Sequence, residues 1–207
     1  MDKIIILGKG KSLERLSEVI KYANNCVFVD NFSPEIEYFW DILKDKNVYH
    51  FTNGMIKGAL DKKYYDLFNI KESYARSTIF PKLKYADNQI KLYTDYYENI
   101  LNVKMIHVSE EYHIKYKTIK NTGIYAVLWA SETLGLHDIW ICGFDFHQDN
   151  YFLNDNKGIR MMKGRYDDAI SDFIDIIKTF PNITYHIVLS KKINKNTFKG
   201  LQNINII

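Results

Sequence analysis

The chain has 207 residues, 46% apolar and 26% charged, which is long and hydrophobic enough for a core without staples and excludes a disordered segment. Its 28 basic and 25 acidic residues leave a formal net charge of +3, a balance that gives no ground for nucleic-acid binding. The two cysteines, Cys26 and Cys142, sit inside apolar runs and read as small buried hydrophobes of a reducing compartment, not as a disulfide or metal pair.

Strands and helices are expected to alternate from the first residues. The run Ile4, Ile5, Ile6, Leu7 ending at Gly8 has the form of a buried parallel strand. Ser12 is placed to cap a helix whose apolar positions Leu13, Leu16, Val19, Ile20 and Ala23 follow helical spacing. A strand at 26–29 closes at Asp30 and Asn31, a helix is expected over 35–43, and a third strand over 48–51. Between 54 and 102 the pattern is weaker: a helix before Asn69, an extended piece at 77–80 and a helix over 86–101. Residues 105–108 look extended. A helix opening at Thr122 carries Ile124, Val127, Leu128 and Leu134 and stops at Gly135. A buried strand at 138–143 leads into a polar loop over about 145–165, then an amphipathic helix with Ala169, Ile170, Phe173, Ile174 and Ile177, and a last strand at 183–189. The expected fold is α/β: a single Rossmann-like domain, with a mostly parallel twisted sheet and helices on both faces. The first strand begins almost at Met1, leaving no room for a signal peptide, and no apolar run is long enough to span a membrane. A cytoplasmic protein is expected, compatible with peripheral contact at the inner face of a membrane and with self-association.

Three polar segments stand where loops of a parallel sheet gather and ligands bind. The first is Gly8, Lys9, Gly10, Lys11, Ser12 after the first strand. Its glycines allow a tight turn, and free amides at a helix start attract phosphate. It lacks the third glycine of a dinucleotide fingerprint and the spacing of a Walker motif, so a ligand-free turn remains an equal reading. The second runs from Gly143 through Phe144, Asp145, Phe146, His147, Gln148, Asp149 and Asn150 to Tyr151; Asp145 there serves either a ligand or its own loop. The third is Lys120, Asn121, Thr122, Gly123, a helix start that suits either an anion or a plain cap. Asn31, just past a strand, reads as an edge residue or an ordinary turn residue. With 16 Tyr, 12 Phe and 3 Trp, aromatic faces are plentiful for sugar rings and bases, though Lys-, Asn- and Ile-rich chains gather Tyr and Phe through codon composition alone.

These blocks, in this order, resemble the bacterial sialyltransferases of glycosyltransferase family 42. There the first turn reads Gly-Asn-Gly-Pro-Ser-Leu and the later blocks read Ser-Gly-Val-Tyr and Gly-Ile-Asp-Phe-Tyr-Gln. The resemblance covers about residues 1–55 and 119–180 and implies a GT-A-like variant of the fold. It implies an inverting, metal-independent transfer, without a separate cofactor, of sialic acid or a related acidic sugar from a CMP-activated donor to a glycan or glycolipid hydroxyl. It places Gly8, Lys9, Gly10, Ser12, Asn31, Asn53, Lys120, Asn121, Thr122, Gly123, Gly143, Asp145 and Phe146 around the donor. His147 and Tyr151 take the positions of family tyrosines that hold the leaving phosphate. Lys9 and Lys11 depart from the family turn, the lid is shortened, and the family's lid histidine, its general base, has no counterpart. His147 and Asp149 are the substitutes the sequence offers, and Arg165 would hold phosphate without serving as a base. Two other readings stay open. One is a nucleotide-dependent transferase related to archaeal pterin pyrophosphokinases and motility-associated glycosyltransferases; the other is a non-catalytic nucleotide-binding relative.

Overall fold

A computed structural model describes residues 3–75, 86–107, 119, 121–146, 151–153 and 165–207, the side chains of 86, 87, 89 and 165–167 excepted. Eight strands form one sheet: β1 (Ile4–Leu7), β2 (Asn25–Val29), β3 (Asn47–Thr52), β4 (Glu72–Ala75), β5 (Lys104–His107), β6 (Asp138–Cys142), β7 (Thr184–Ile187) and β8 (Ile204–Ile206). Their order is β5-β4-β3-β2-β1-β6-β7-β8, and every neighbouring pair is parallel. The chain builds outward from β1 to β5, then returns to β1's other side and builds outward again to β8. That reversal puts a topological switch point between β1 and β6, the position at the carboxyl edge where open parallel sheets form a ligand-binding crevice. The α/β, Rossmann-like architecture expected from the alternating pattern is the one observed.

Among the described residues seven α-helices lie between the strands: α1 (Leu16–Val19), α2 (Ser33–Tyr38), α3 (Trp40–Leu43), α4 (Lys62–Leu67), α5 (Ala86–Asp95), α6 (Thr122–Thr133) and α7 (Arg165–Thr179). The first connection departs from the single capped helix expected. It is a 3-10 turn over Lys11–Arg15, then α1, then a second 3-10 turn over Ile20–Tyr22. Gly10 stands at the cap position with no side-chain cap, because the Ser12 hydroxyl accepts instead from the Gly143 amide at 3.1 Å. The far end is closed by Lys46, whose ammonium donates to the carbonyls of Ile20 and Ala23 at 3.1 and 2.7 Å. The helix expected over 35–43 is split at Phe39, whose φ of −105° and ψ of 19° leave the helical region. Its ring packs 5.0 Å from Phe152. Gly135, with φ +57°, ends α6 as expected, in the left-handed conformation that closes helices.

Alternate residues along the central strands feed two cores. Ile4, Ile6, Val27, Ile139, Ile141 and Tyr185 face α6 and α7, while Ile5, Leu7, Cys26, Phe28, Trp140 and Cys142 face α1 to α4. Burial on both faces is why these strands read as unbroken apolar runs rather than as alternations. Both cysteines are free and buried, and burial pushes the Cys26 thiol up to about 12. Among the described residues no helix is long and apolar enough to cross a membrane.

Candidate functional site

The crevice is built from two interlocked turns. After β1, the amides of Gly8 and Gly10 donate to the carbonyls of Cys142 and Gly143 at 2.9 and 2.8 Å. A Cβ on Gly8 would lie 2.5 Å from the Gly143 carbonyl oxygen, so only hydrogen fits there. Gly143 itself has φ +79°, and any side chain on it would run into the Gly8 backbone. On the neighbouring helix start, a Cβ on Gly123 would meet the Phe144 ring at 2.5 Å, which lets the loop after β6 press against α6.

Asp145 locks this arrangement. Its carboxylate, only 3% exposed, accepts from the Ser12 amide at 2.7 Å and from the Ser190 amide, beyond β7, at 3.3 Å. It therefore ties the first turn to the turn beyond β7. Of the first turn's amides, those of Gly8 and Gly10 donate to the carbonyls of Cys142 and Gly143, that of Ser12 to the Asp145 carboxylate and that of Leu13 to the Gly10 carbonyl. Phe146 is also turned inward. It adopts φ +47° and packs 5.4 Å from Phe173 and 5.9 Å from Phe198, in the core rather than along the crevice.

Beside these turns, the ends of β2 and β3 present a second group. Asp30, partly exposed, has φ +56°, a left-handed conformation that side chains other than Gly, Asn and Asp rarely take. Its carboxylate accepts from the Asn53 amide at 2.8 Å, and the Thr122 hydroxyl at the start of α6 lies near enough to favour its ionised form. Lys9 lies close enough to act on that charge, and its ammonium donates to the Asn31 carbonyl at 3.2 Å. Burial raises the proton affinity of Asp30 above the ordinary carboxylate value, while the Asn53 amide, Lys9, Thr122 and Lys57 pull it back. Asn31 is an ordinary turn residue by its contacts, its side chain accepting from the Ser33 amide at 3.1 Å. Asn53 makes the same kind of turn, accepting from the Met55 amide at 2.9 Å. Asn121, rather than Thr122, is the cap of α6, accepting from the Ile124 amide at 3.1 Å. By helix geometry the amides of Thr122 and Gly123 then have no acceptor within α6. Tyr151 pairs with Gly10 in an antiparallel bridge, and its ring lies 5.9 Å from the Lys9 ammonium.

Under Asp30 lies a buried polar chain. His50, fully buried, has its Nε2 at 3.2 Å from the Asp30 carbonyl and its Nδ1 at 2.9 Å from Ser73 Oγ and 3.1 Å from Tyr65 Oη. Because a carbonyl only accepts, the Nε2 carries the proton and the two hydroxyls donate to Nδ1. Burial pushes the imidazole down to about 4. From its ordinary value of about 6.5 down to about 4, the unfolded chain takes a proton that the folded chain refuses. Stability from this group is full above that window and falls as pH drops through it, by about 3 kcal/mol in all. Urea midpoints at pH 7 and pH 4.5 are expected to lie closer together in His50→Gln than in the unsubstituted chain.

The sequence blocks thus meet: Ser12 bonds Asp145, Thr122 and Lys9 lie near enough to act on the Asp30 charge, and Lys9 bonds the Asn31 carbonyl. His147, Asp149 and Lys120, and the rest of the lid-like loop over 154–164, lie outside the described residues; Arg165 opens α7, its side chain likewise outside them. Sequence reading passed over Asp30, Lys57 and Tyr97. The signal for Asp30 was present: an acidic residue ends the second strand, about 20 residues beyond the glycine turn, where Rossmann-like units place a ligand-facing carboxylate. Among the described residues no group of three or more His, Cys, Asp or Glu side chains is arranged to hold a metal ion.

No protein-family model matches the chain, and no curated protein does. Among solved structures, it is similar to the sialyltransferase CST-II in complex with trisaccharide acceptor and CMP, at 18% identity over 100% of this chain and 89% of that one, with a TM-score of 0.41. It is also similar to the sialyltransferase CstII from Campylobacter jejuni in complex with the substrate analogue CMP-3FNeuAc, at 17% identity over 98% of this chain and 87% of that one, with a TM-score of 0.42.

Proposed function

We propose that the chain is an inverting, metal-independent glycosyltransferase that takes sialic acid or a related acidic sugar from a CMP-activated donor and passes it to a glycan hydroxyl. One observation carries the reading. The motif blocks that resemble family 42 are distant in sequence, yet they meet at the carboxyl edge of one parallel sheet, at its switch point. On this reading the nucleotide lies across the crevice between the turns after β1 and β6. Its phosphate faces the start of α6, where the amides of Thr122 and Gly123 and the helix dipole favour negative charge. Tyr151 closes over the first turn from the other side. The first turn contributes mainly shape, since its Gly8, Gly10, Ser12 and Leu13 amides are committed.

Calorimetric titration of the full chain with CMP, UMP, AMP and GMP, with and without magnesium, tests this. CMP is expected to bind best, without a need for magnesium, and at a hundredfold excess over its Kd to stabilise the fold by about 2.7 kcal/mol. Equal affinity for all four nucleotides would remove the donor assignment. Tight ATP binding that requires magnesium would favour a phosphoryl or pyrophosphoryl transferase instead.

A further inference from the structure

Direct displacement at an anomeric carbon needs a group that takes the acceptor's proton as its oxygen attacks. The titratable groups described around the crevice are Asp30, Asp145, His50, Lys9, Lys57, Tyr97 and Tyr151. Asp145 is 3% exposed and holds two amides, so it is a strut. His50 is fully buried with both ring nitrogens engaged. Burial and the Asp30 charge both raise Tyr151, which keeps its proton at neutral pH, and Tyr97 is fully buried. The two lysines are cations.

Asp30 differs from all of these. It is a partly exposed carboxylate held on several sides: its amide donates to the Phe51 carbonyl at 2.8 Å, and its own carbonyl accepts from His50. One carboxylate oxygen accepts from the Asn53 amide, and the Thr122 hydroxyl lies near enough to favour the ionised form. Asp is one of the few non-glycine residues that takes φ +56° readily, and these bonds hold it there. The surroundings here are a fully buried and hydrogen-bonded His50, Ser73 and Thr52, a satisfied polar network of the kind that makes its neighbourhood rigid.

We propose that Asp30 is the proton acceptor of the reaction. The inference rests on the transferase reading above. The acceptor oxygen bonds to the anomeric carbon as the bond from that carbon to the phosphate oxygen breaks. The bonding pair leaves with CMP, and the acceptor's proton passes to the Asp30 carboxylate and later to water. Lys9 and Lys57 keep the carboxylate ionised between turnovers, against the burial that favours its protonated form, while the Tyr97 and Tyr151 hydroxyls face it without charge.

The test follows CMP release from CMP-sialic acid, with water as acceptor, across pH 4 to 9 in the unsubstituted chain, Asp30→Asn, Lys9→Met and His147→Ala. The unsubstituted chain is expected to lose rate on the acid side, with a midpoint above the ordinary carboxylate value. Asp30→Asn is expected to lose about 100-fold or more in kcat and to lose that acid limb, with CMP affinity within about threefold. Lys9→Met is expected to move the midpoint upward, because a neighbouring positive charge is gone. Asn keeps the left-handed backbone and removes a charge that the fold disfavours, so Asp30→Asn is also expected to melt higher at pH 7.5, which separates lost chemistry from lost fold. An Asp30→Asn chain that keeps its kcat and its acid limb overturns the inference. So does a loss confined to CMP affinity, which would assign Asp30 to gripping the ribose hydroxyls. An acid limb that survives in Asp30→Asn and vanishes in His147→Ala overturns it in favour of His147. An unsubstituted chain that binds CMP best but releases none from the donor overturns the inference and the transferase step while leaving the nucleotide assignment standing.

Discussion

Gly143→Ala is expected to lower stability by roughly 3–5 kcal/mol and to abolish CMP binding. Two costs combine. Ala at φ +79° is strained whatever space surrounds it, and its methyl group runs into the Gly8 backbone, which cannot move without parting β1 from β6. Gly135→Ala is the control. Gly135 also has a positive φ, of +57°, but a Cβ there meets nothing within 4 Å, so only the backbone strain applies, about 1 kcal/mol. Urea denaturation of both variants, with CMP calorimetry on each, checks the prediction. Similar losses in the two would mean that the interlocked turns contribute little beyond ordinary backbone strain.

Asp145→Ala is expected to cost a comparable 3–5 kcal/mol, and Asp145→Asn about 1–2 kcal/mol. The alanine removes the charged acceptor of the Ser12 and Ser190 amides, leaving two donors buried without a partner. Asparagine keeps one carbonyl acceptor but turns an NH2 group towards the second amide. Denaturation midpoints give the stabilities. Amide hydrogen exchange at Ser12 and Ser190 gives the location, since both should exchange faster in Asp145→Ala. An alanine variant within about 1 kcal/mol of the unsubstituted chain would show that water replaces the carboxylate at little cost.

Both residues carry glycine-turn and strand-end signals that the sequence displays openly, yet their jobs were legible only in part. Gly8, Gly10 and Gly143 announce turns at strand ends, and that much holds. Whether a turn's amides point at a ligand or at a neighbouring strand depends on what stands opposite, and here Gly143 and Asp145 stand opposite. Ser12 has the residue type of a helix cap, but its hydroxyl bonds Gly143 from across the sheet. Asn31 looked like the edge residue of β2, and Asp30 one position earlier is the one turned towards Thr122 and Asn53. A one-residue choice at a strand end depends on the left-handed turn there, which no apolar pattern records.

For the fold, β1, β2 and β6 could be read directly, because strands buried on both faces must be continuous apolar runs, and α6 and α7 because their apolar positions recur at helical spacing. β4 and β8 escaped. They are short, of four and three residues, and lie near or at the sheet's edges, where partial exposure dilutes the apolar signal. The sequence by itself determined the α/β class, the alternation that makes the sheet parallel, and the turns that crowd its carboxyl edge. Only the tertiary structure decided which side chains at that edge are struts and which face the crevice. Local pattern encodes burial and periodicity, whereas a hydrogen bond between residues more than a hundred positions apart, such as Ser12 to Asp145, exists only once the strands between them have found their order.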